Sequence, residues 1–322
     1  MIDLIKLRVT QIAHKAVWPG FLFGALTAFG ALQYAGIGTG TPLFGLLTAG
    51  AAAASEMLEI WPPILVIEIV RYLLAAGAVA LAVKIFWRFG LARRKIQVRS
   101  ATREDIRREI AASLRTGLVF SLFGLTLYGL ATSGWVTIYT DFNRRGWGYL
   151  IATLALMIVA QDAYFYWLHR ALHHRLLFRR CHATHHKSHT PTAWAAYAFD
   201  WFEAAANACF VLLVVAAVPV HELTLFLFMA HQVVRNAIGH AGVELYPATM
   251  ARSRLFGWIN TTTHHDLHHQ HGRYNYGLYF TWWDRLMGTE HPHYLEHFDA
   301  ATRSPPPAEA TVGKNSASVS QS

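Results

Sequence analysis

Four stretches of this chain are apolar for about twenty residues, the length that crosses the hydrocarbon of a bilayer. They are residues 17–37, 61–87 (interrupted by Glu68 and Arg71, three apart and placed to pair), 118–138 and 148–168. Two shorter apolar runs, 204–220 and 222–236, flank Pro219 and read as a re-entrant hairpin or two short spans. The Ala/Gly-rich stretch 42–54 is too short to span easily and is expected at the interface or packed against neighbours. Only 15% of residues are charged, against about 25% in an average soluble domain. The expectation is an all-α integral-membrane bundle of about four transmembrane helices plus the hairpin. The first apolar run is too long for a cleavable signal peptide and reads as an anchor.

Charge orients the bundle. Lys6, Arg8 and Lys15 precede the first span, and Lys84, Arg88, Arg93, Arg94 and Lys95 close the second. Arg115 precedes the third, and Arg170, Arg175, Arg179 and Arg180 follow the fourth. If the spans alternate, all four groups face one side, which the positive-inside rule makes cytoplasmic; Arg144 and Arg145 fall opposite and weaken the asymmetry. The net charge of +9 therefore reads as basic loops beside a membrane, with no nucleic-acid partner. Residues 100–117 read as an amphipathic cytoplasmic helix with Glu/Arg pairs at helical spacing. The Pro/Ser/Ala-rich stretch 300–322 has the composition of a disordered tail.

Fifteen of the 19 histidines lie between residues 169 and 271. They form the groups His169/His173/His174, His182/His185/His186/His189 and His264/His265/His268/His269/His271, with His221, His231 and His240 between. Imidazole is a good ligand for Zn, Cu, Fe and Ni, and pairs at i,i+3 or i,i+4 on a helix converge on one ion. A lone histidine at a membrane edge is usually an ordinary polar residue; three dense clusters are a different pattern. The eight positions of the three boxes exceed what one ion takes, which favours two metals. The zincin signature HExxH is absent, as are the ExxH pairs of ferritin-like carboxylate sites. Two cysteines, Cys181 and Cys209, leave no thiolate cluster or disulfide framework.

The boxes His169-X3-His173, His182-X2-His185-His186 and His265-X2-His268-His269 resemble those of the fatty acid hydroxylase / sterol desaturase superfamily, membrane-bound histidine-rich non-haem diiron oxygenases. The flanks DAYFYWLHRALH and NYGLYFTWWDRLMGT (275–289) fit that pattern too, and the resemblance covers about residues 117–295. It implies a cytoplasmic helical His-rich domain capping the membrane anchor. It further implies two Fe ions (with zinc able to replace them in purified protein), O2 as co-substrate, and hydroxylation or desaturation of a lipid C–H. The candidate lipids are a fatty acyl chain, sphingolipid, sterol or hopanoid, or carotenoid. The chain divides accordingly into an anchor (1–116), a catalytic domain (117–299) and the tail (300–322).

Residue by residue, the resemblance makes His169, His173, His182, His185, His186, His265, His268 and His269 the metal ligands. His240 is the ninth, with His231 competing for that role. Asn236, four before His240, stands where some relatives have histidine and binds through a water or not at all. Asp162 is seven before His169 on the same helix face; an intramembrane carboxylate is costly and usually functional, and its expected task is to orient a ligand histidine. Asp266 and Asp284 are weaker candidates for that task. His189 is divided between the ligand shell and the substrate side, while His174 and His264 read as supporting residues. No cytochrome b5 module, ferredoxin cysteines or flavin fingerprint is visible, so a separate cytochrome b5-, ferredoxin- or reductase-type donor is implied. The Ala/Gly-rich, basic style suggests a bacterial inner membrane. Two rival readings remain: a His-rich metal transporter or storage protein, with histidines lining a span or in a flexible loop, and a zinc-dependent membrane hydrolase, which the boxes do not favour because they lack a Glu base.

Overall fold

The structure is a computed structural model describing residues 43–303, with side chains described from Ser55 onward. The expected first span at 17–37, its basic flank, and residues 304–322 of the expected tail lie outside the described residues. Helix α1 (Leu43–Phe86) is followed by α2 (Arg103–Thr132), the strand β1 (Ile138–Tyr139) and α3 (Gly146–Leu172). Two single turns, α4 (Phe178–Cys181) and α5 (Ala183–His186), lead to α6 (Trp201–Ala217), β2 (Val220–His221) and α7 (Glu222–Gly239). The chain closes with α8 (Thr262–His271), α9 (Trp282–Leu286) and α10 (Tyr294–Thr302).

Among the described residues, three helices are long and apolar enough to cross a membrane: Ser55–Phe89, Arg103–Thr132 and Gly146–Leu172. The stretch 42–54, expected as a separate interfacial piece, instead runs into α1 from residue 43, and Pro62 and Pro63 lie inside that helix. The stretch 100–117 is likewise no separate surface helix. Thr102 and Asp105 form a reciprocal capping box, and α2 then continues through Thr116 and Gly117 into the apolar span. The expected boundary at 116/117 therefore falls inside one helix. One face of the charged start of α2 is covered, with Asp105 and Glu109 buried, Arg108 donating to the Lys187 carbonyl (3.0 Å) and Glu109 accepting from the Thr192 hydroxyl, while Arg103, Glu104 and Arg107 are exposed.

The runs flanking Pro219 form a helical hairpin, α6 and α7. Their 17 and 18 residues rise about 26 Å each, a little less than the hydrocarbon thickness. At the hairpin tip, β2 pairs in parallel with β1, Ile138 opposite Val220 and Tyr139 opposite His221. This small pair fixes the tip to the loop that joins α2 to α3.

In lipid, helices associate through close packing and hydrogen bonds, since the tails are as apolar as the side chains. At Gly124 a Cβ would stand 2.8 Å from Ile64 Cγ2, so glycine permits the approach of α1 to α2, and Trp61 donates to Ser121 there (3.0 Å). One core joins Tyr72, Phe120, Tyr197 and Val233; another joins Met157, Phe210, Val215 and Phe228. Glu68 and Arg71 form the expected ion pair within α1. Glu68→Ala would leave the Arg71 guanidinium uncompensated, costing about 3 kcal/mol. The melting temperature in detergent should fall for this variant and recover in Glu68→Leu/Arg71→Leu; an unchanged Glu68→Ala protein would contradict the pairing's importance.

The ends of α1, α2 and α3 that carry the basic groups meet the histidine-rich region. Ile96 donates to the Gly242 carbonyl (3.2 Å), Gln97 donates to the His189 carbonyl (2.7 Å) and to Asp266 (2.8 Å), and Arg94 donates to the Tyr246 carbonyl.

Candidate metal centre

Four parts of the chain deliver imidazoles to one place. The last turn of α3 and the residue capping it supply His169 and His173, four apart on one face. The turns around α5 supply His182, His185 and His186. His240 caps α7. Helix α8, whose N-cap Thr261 side chain accepts from the His264 amide, supplies His265, His268 and His269.

These nine histidines fall into two groups, in each of which one nitrogen per ring lies within 4.8 Å of all the others: His169, His173, His182, His186 and His268, and separately His185, His240, His265 and His269. In the first, His169 and His182 bring their Nε2 atoms to 3.0 Å, and His186 Nε2 is 3.1 Å from both His173 Nε2 and His268 Nε2. In the second, His240 Nε2 is 3.0 Å from His265 Nε2, 3.2 Å from His269 Nε2 and 3.4 Å from His185 Nε2. Both α8 and the turn carrying His182, His185 and His186 contribute to each group, so the groups share supporting backbone. All nine are buried except His173, which is half-buried.

The other edge of the ring decides what these nitrogens want. A carbonyl only accepts, so an imidazole Nδ1 beside one carries the hydrogen. His169 Nδ1 donates to the Tyr276 carbonyl (2.9 Å), His268 Nδ1 to the Tyr274 carbonyl (2.6 Å) and His240 Nδ1 to the Asn236 carbonyl (2.7 Å). His182 Nδ1 lies 2.9 Å from a Glu203 carboxylate oxygen. In a neutral ring the Nε2 atoms of His169, His268 and His240 are then bare lone pairs, while the His182–Glu203 approach is close but lacks hydrogen-bond geometry. A second proton is disfavoured: burial, reinforced by neighbouring rings, pushes His182, His185, His265 and His269 well below the usual histidine range, and burial does the same to His268. His240 Nε2 offers a single lone pair to three ring nitrogens within 3.4 Å, more than one hydrogen bond satisfies, and a cation among them would resolve the crowding. The residues therefore fit two metal ions, and the all-imidazole donor set suits iron as well as zinc.

Residues 154–289 match the family model described as fatty acid hydroxylase. Over that region the chain is similar to members of the fatty acid hydroxylase / sterol desaturase superfamily. A Delta(7)-sterol 5(6)-desaturase of Gibberella zeae is 31% identical over 188 residues, 58% of this chain and 56% of that protein. The lathosterol oxidase of Mus musculus is 31% identical over 198 residues, 60% of this chain and 64% of that protein. The cholesterol 25-hydroxylase of Mus musculus is 33% identical over 120 residues, 37% of this chain and 40% of that protein. The chain thus spans between about half and two thirds of the length of the first two relatives. No solved structure matches.

The superfamily's boxes do not map one-to-one onto the groups: His182 and His186 go with the first, His185 with the second. Asp162 does not contact a histidine. Its carboxylate accepts from the Tyr279 amide (2.7 Å) and the Phe280 amide (3.1 Å). Asp284 similarly accepts from the Tyr276 amide and the Gly277 amide, both at 2.8 Å. Together they fasten the 276–280 segment, whose Tyr276 carbonyl holds His169. The segment is tight: a Cβ at Gly277 would stand 2.5 Å from the Phe280 carbonyl oxygen. Asn236 acts through its main chain, the carbonyl that holds His240, while its side chain donates to the Ala196 carbonyl (2.6 Å). His231 is outside both groups and packs on Tyr279 with ring centroids 4.7 Å apart. His174 and His189 are exposed, and buried His264 lies edge-on to Tyr294. Asp266 accepts from Gln97 and Gln270 (2.6 Å).

Glu203 is the residue that sequence reasoning missed. It is 1% exposed and follows the N-cap of α6. Glu203 lies just before the apolar run 204–220, outside the span rule that singled out Asp162.

Proposed function

We propose that the protein is a membrane-bound lipid oxidase that uses two irons and O2 to hydroxylate or desaturate a C–H bond. The observation that carries this reading is the pair of buried nitrogen cages whose Nε2 atoms crowd together. Bound iron supplies the O2 chemistry that an unactivated C–H requires. The chain's own residues do the rest. The nine histidines would hold the two ions, and the Tyr274, Tyr276 and Asn236 carbonyls with Glu203 fix which ring nitrogen is bare and where it points. Tight packing of α8 keeps bulk water from the cages, since Thr262, His264, Leu267 and His268 have no exposed surface.

The relatives named above are a sterol desaturase, a lathosterol oxidase and a cholesterol hydroxylase, which supports a lipid substrate and, within lipids, a sterol-like one. The electrons come from a separate donor of cytochrome b5, ferredoxin or reductase type. The basic helix ends beside the cages support a cytoplasmic site, in a bacterial chain at the inner membrane. A transporter or storage protein would place its histidines along a span or in a flexible loop; here they are packed at helix ends.

The test is oxidation by iron-loaded, detergent-solubilised protein supplied with O2, a chemical or protein reductant and a mixed sterol and acyl-lipid extract. A lipid product one oxygen heavier or two hydrogens lighter, dependent on iron and O2, is expected. Its absence across both lipid classes would contradict the proposal.

A further inference from the structure

Below the cages, inside the bundle, several buried polar groups have no partner among the described residues. Both amide atoms of Gln161, the hydroxyls of Thr224 and Tyr279, and Nδ1 of His231 are all without one. Gln161 and Thr224 are 0% exposed and Tyr279 is 1% exposed. Bare hydrogen-bonding atoms at such depth are rare and unfavourable, and these lie on two packed helices and on Tyr279 between them. Helices α3 and α7 pack against each other, and Tyr279 connects them. Its ring lies against His231 of α7, its amide donates to Asp162 of α3, next to Gln161, and its carbonyl accepts from Arg235 (3.3 Å), one turn beyond His231. Thr224 is two turns before His231 on α7.

The cluster is aligned with the cages. Gln161, Phe165 and His169 occupy successive turns of α3, and the Phe165 ring is 4.9 Å from that of His169. Eight residues of helix put Gln161 about 12 Å below His169, and nine put His231 about 13 Å below His240. That separation is one a sterol nucleus or an acyl segment bridges.

We propose that this cluster is the seat for an uncharged hydroxyl group of the lipid substrate, which anchors the lipid with its apolar body running toward the metal cages. The set offers an acceptor (Gln161 Oε1), a donor (Gln161 Nε2) and groups able to act as either (the Thr224 and Tyr279 hydroxyls, His231 Nδ1), which suits a group that both gives and takes a hydrogen bond. Arg235 faces Asp162 and already donates to the Asn260 (3.0 Å) and Tyr279 carbonyls, so the seat has no cation left for a carboxylate. The inference deepens the proposed function and rests on it for the word substrate.

The experiment measures binding to the full chain in micelles, with cholesterol, its 3-deoxy counterpart and stearic acid as probes, for the wild type and for Gln161→Leu/Tyr279→Phe. Wild type should prefer cholesterol to the deoxy sterol by about tenfold or more, the worth of one or two buried hydrogen bonds. The double variant should lose most of that preference, bind the deoxy sterol unchanged, and keep or raise its melting temperature, because orphaned polar atoms have been removed. Equal binding of the two sterols by wild type, no cholesterol binding, tighter binding of stearic acid, or an unaltered preference in the variant would each overturn the proposal. Discrimination without any turnover would keep the seat and overturn the oxidase reading; iron-dependent oxidation indifferent to the hydroxyl would do the reverse.

Discussion

His240→Ala is expected to abolish lipid oxidation while the chain still inserts and elutes as the wild type does. His240 is the hub of the second cage: its Nε2 reaches His265, His269 and His185 within 3.4 Å. It comes from α7, whereas the other three come from α8 and the α5 turn, so removing it opens one whole side. The neighbouring nitrogens then lose the ion that resolves their crowding. The first cage does not contain His240 and should keep its metal. His231→Ala, which removes the other histidine of α7, should leave both metals in place, because His231 packs on Tyr279 outside the cages. Retention of oxidation in His240→Ala, or metal loss in His231→Ala equal to that in His240→Ala, would contradict the assignment.

Glu203→Ala should lower metal affinity by about 10- to 100-fold, the usual effect of deleting a carboxylate that orients a ligand histidine. The Glu203 carboxylate lies 2.9 Å from His182 Nδ1, and both side chains are almost fully buried. Without it, His182 can present either ring nitrogen and can turn away from His169. Glu203→Gln keeps an accepting oxygen of the same reach and should fall between wild type and Glu203→Ala. Competition with a graded series of chelators reads this order. Equal metal retention in all three proteins would show that the Tyr274, Tyr276 and Asn236 carbonyls suffice to set the cages.

The membrane character and the clustering of the eight box histidines were legible in the sequence because each depends on local pattern: run length for the spans, close spacing for the boxes; His240 came from the family resemblance. Less local features were not. The start of α2 read as an amphipathic helix of its own, because nothing within it announces that Lys187 and Thr192 will contact Arg108 and Glu109 or that the helix runs on into the span. The division of the histidines between cages depends on which face of the α5 turn each leaves from, so His185 parts company with His182 and His186. Asp162 has its partners 117 and 118 residues away, and its helix position pointed to a histidine only because the 276–280 segment could not be foreseen between them. Asn236 was singled out for its side chain, yet it is the main-chain carbonyl, which every residue type carries, that holds His240.

The central claim is that the two cages hold two metals. The direct measurement is metal content per chain by mass spectrometry on anaerobically purified protein, for the wild type, His186→Ala and His240→Ala. His186 Nε2 bridges His173 and His268 in the first cage, so each variant damages a different cage. Two irons in the wild type and one in each single-cage variant is the predicted result. One metal or none in the wild type, or loading unaffected by either substitution, would contradict the account.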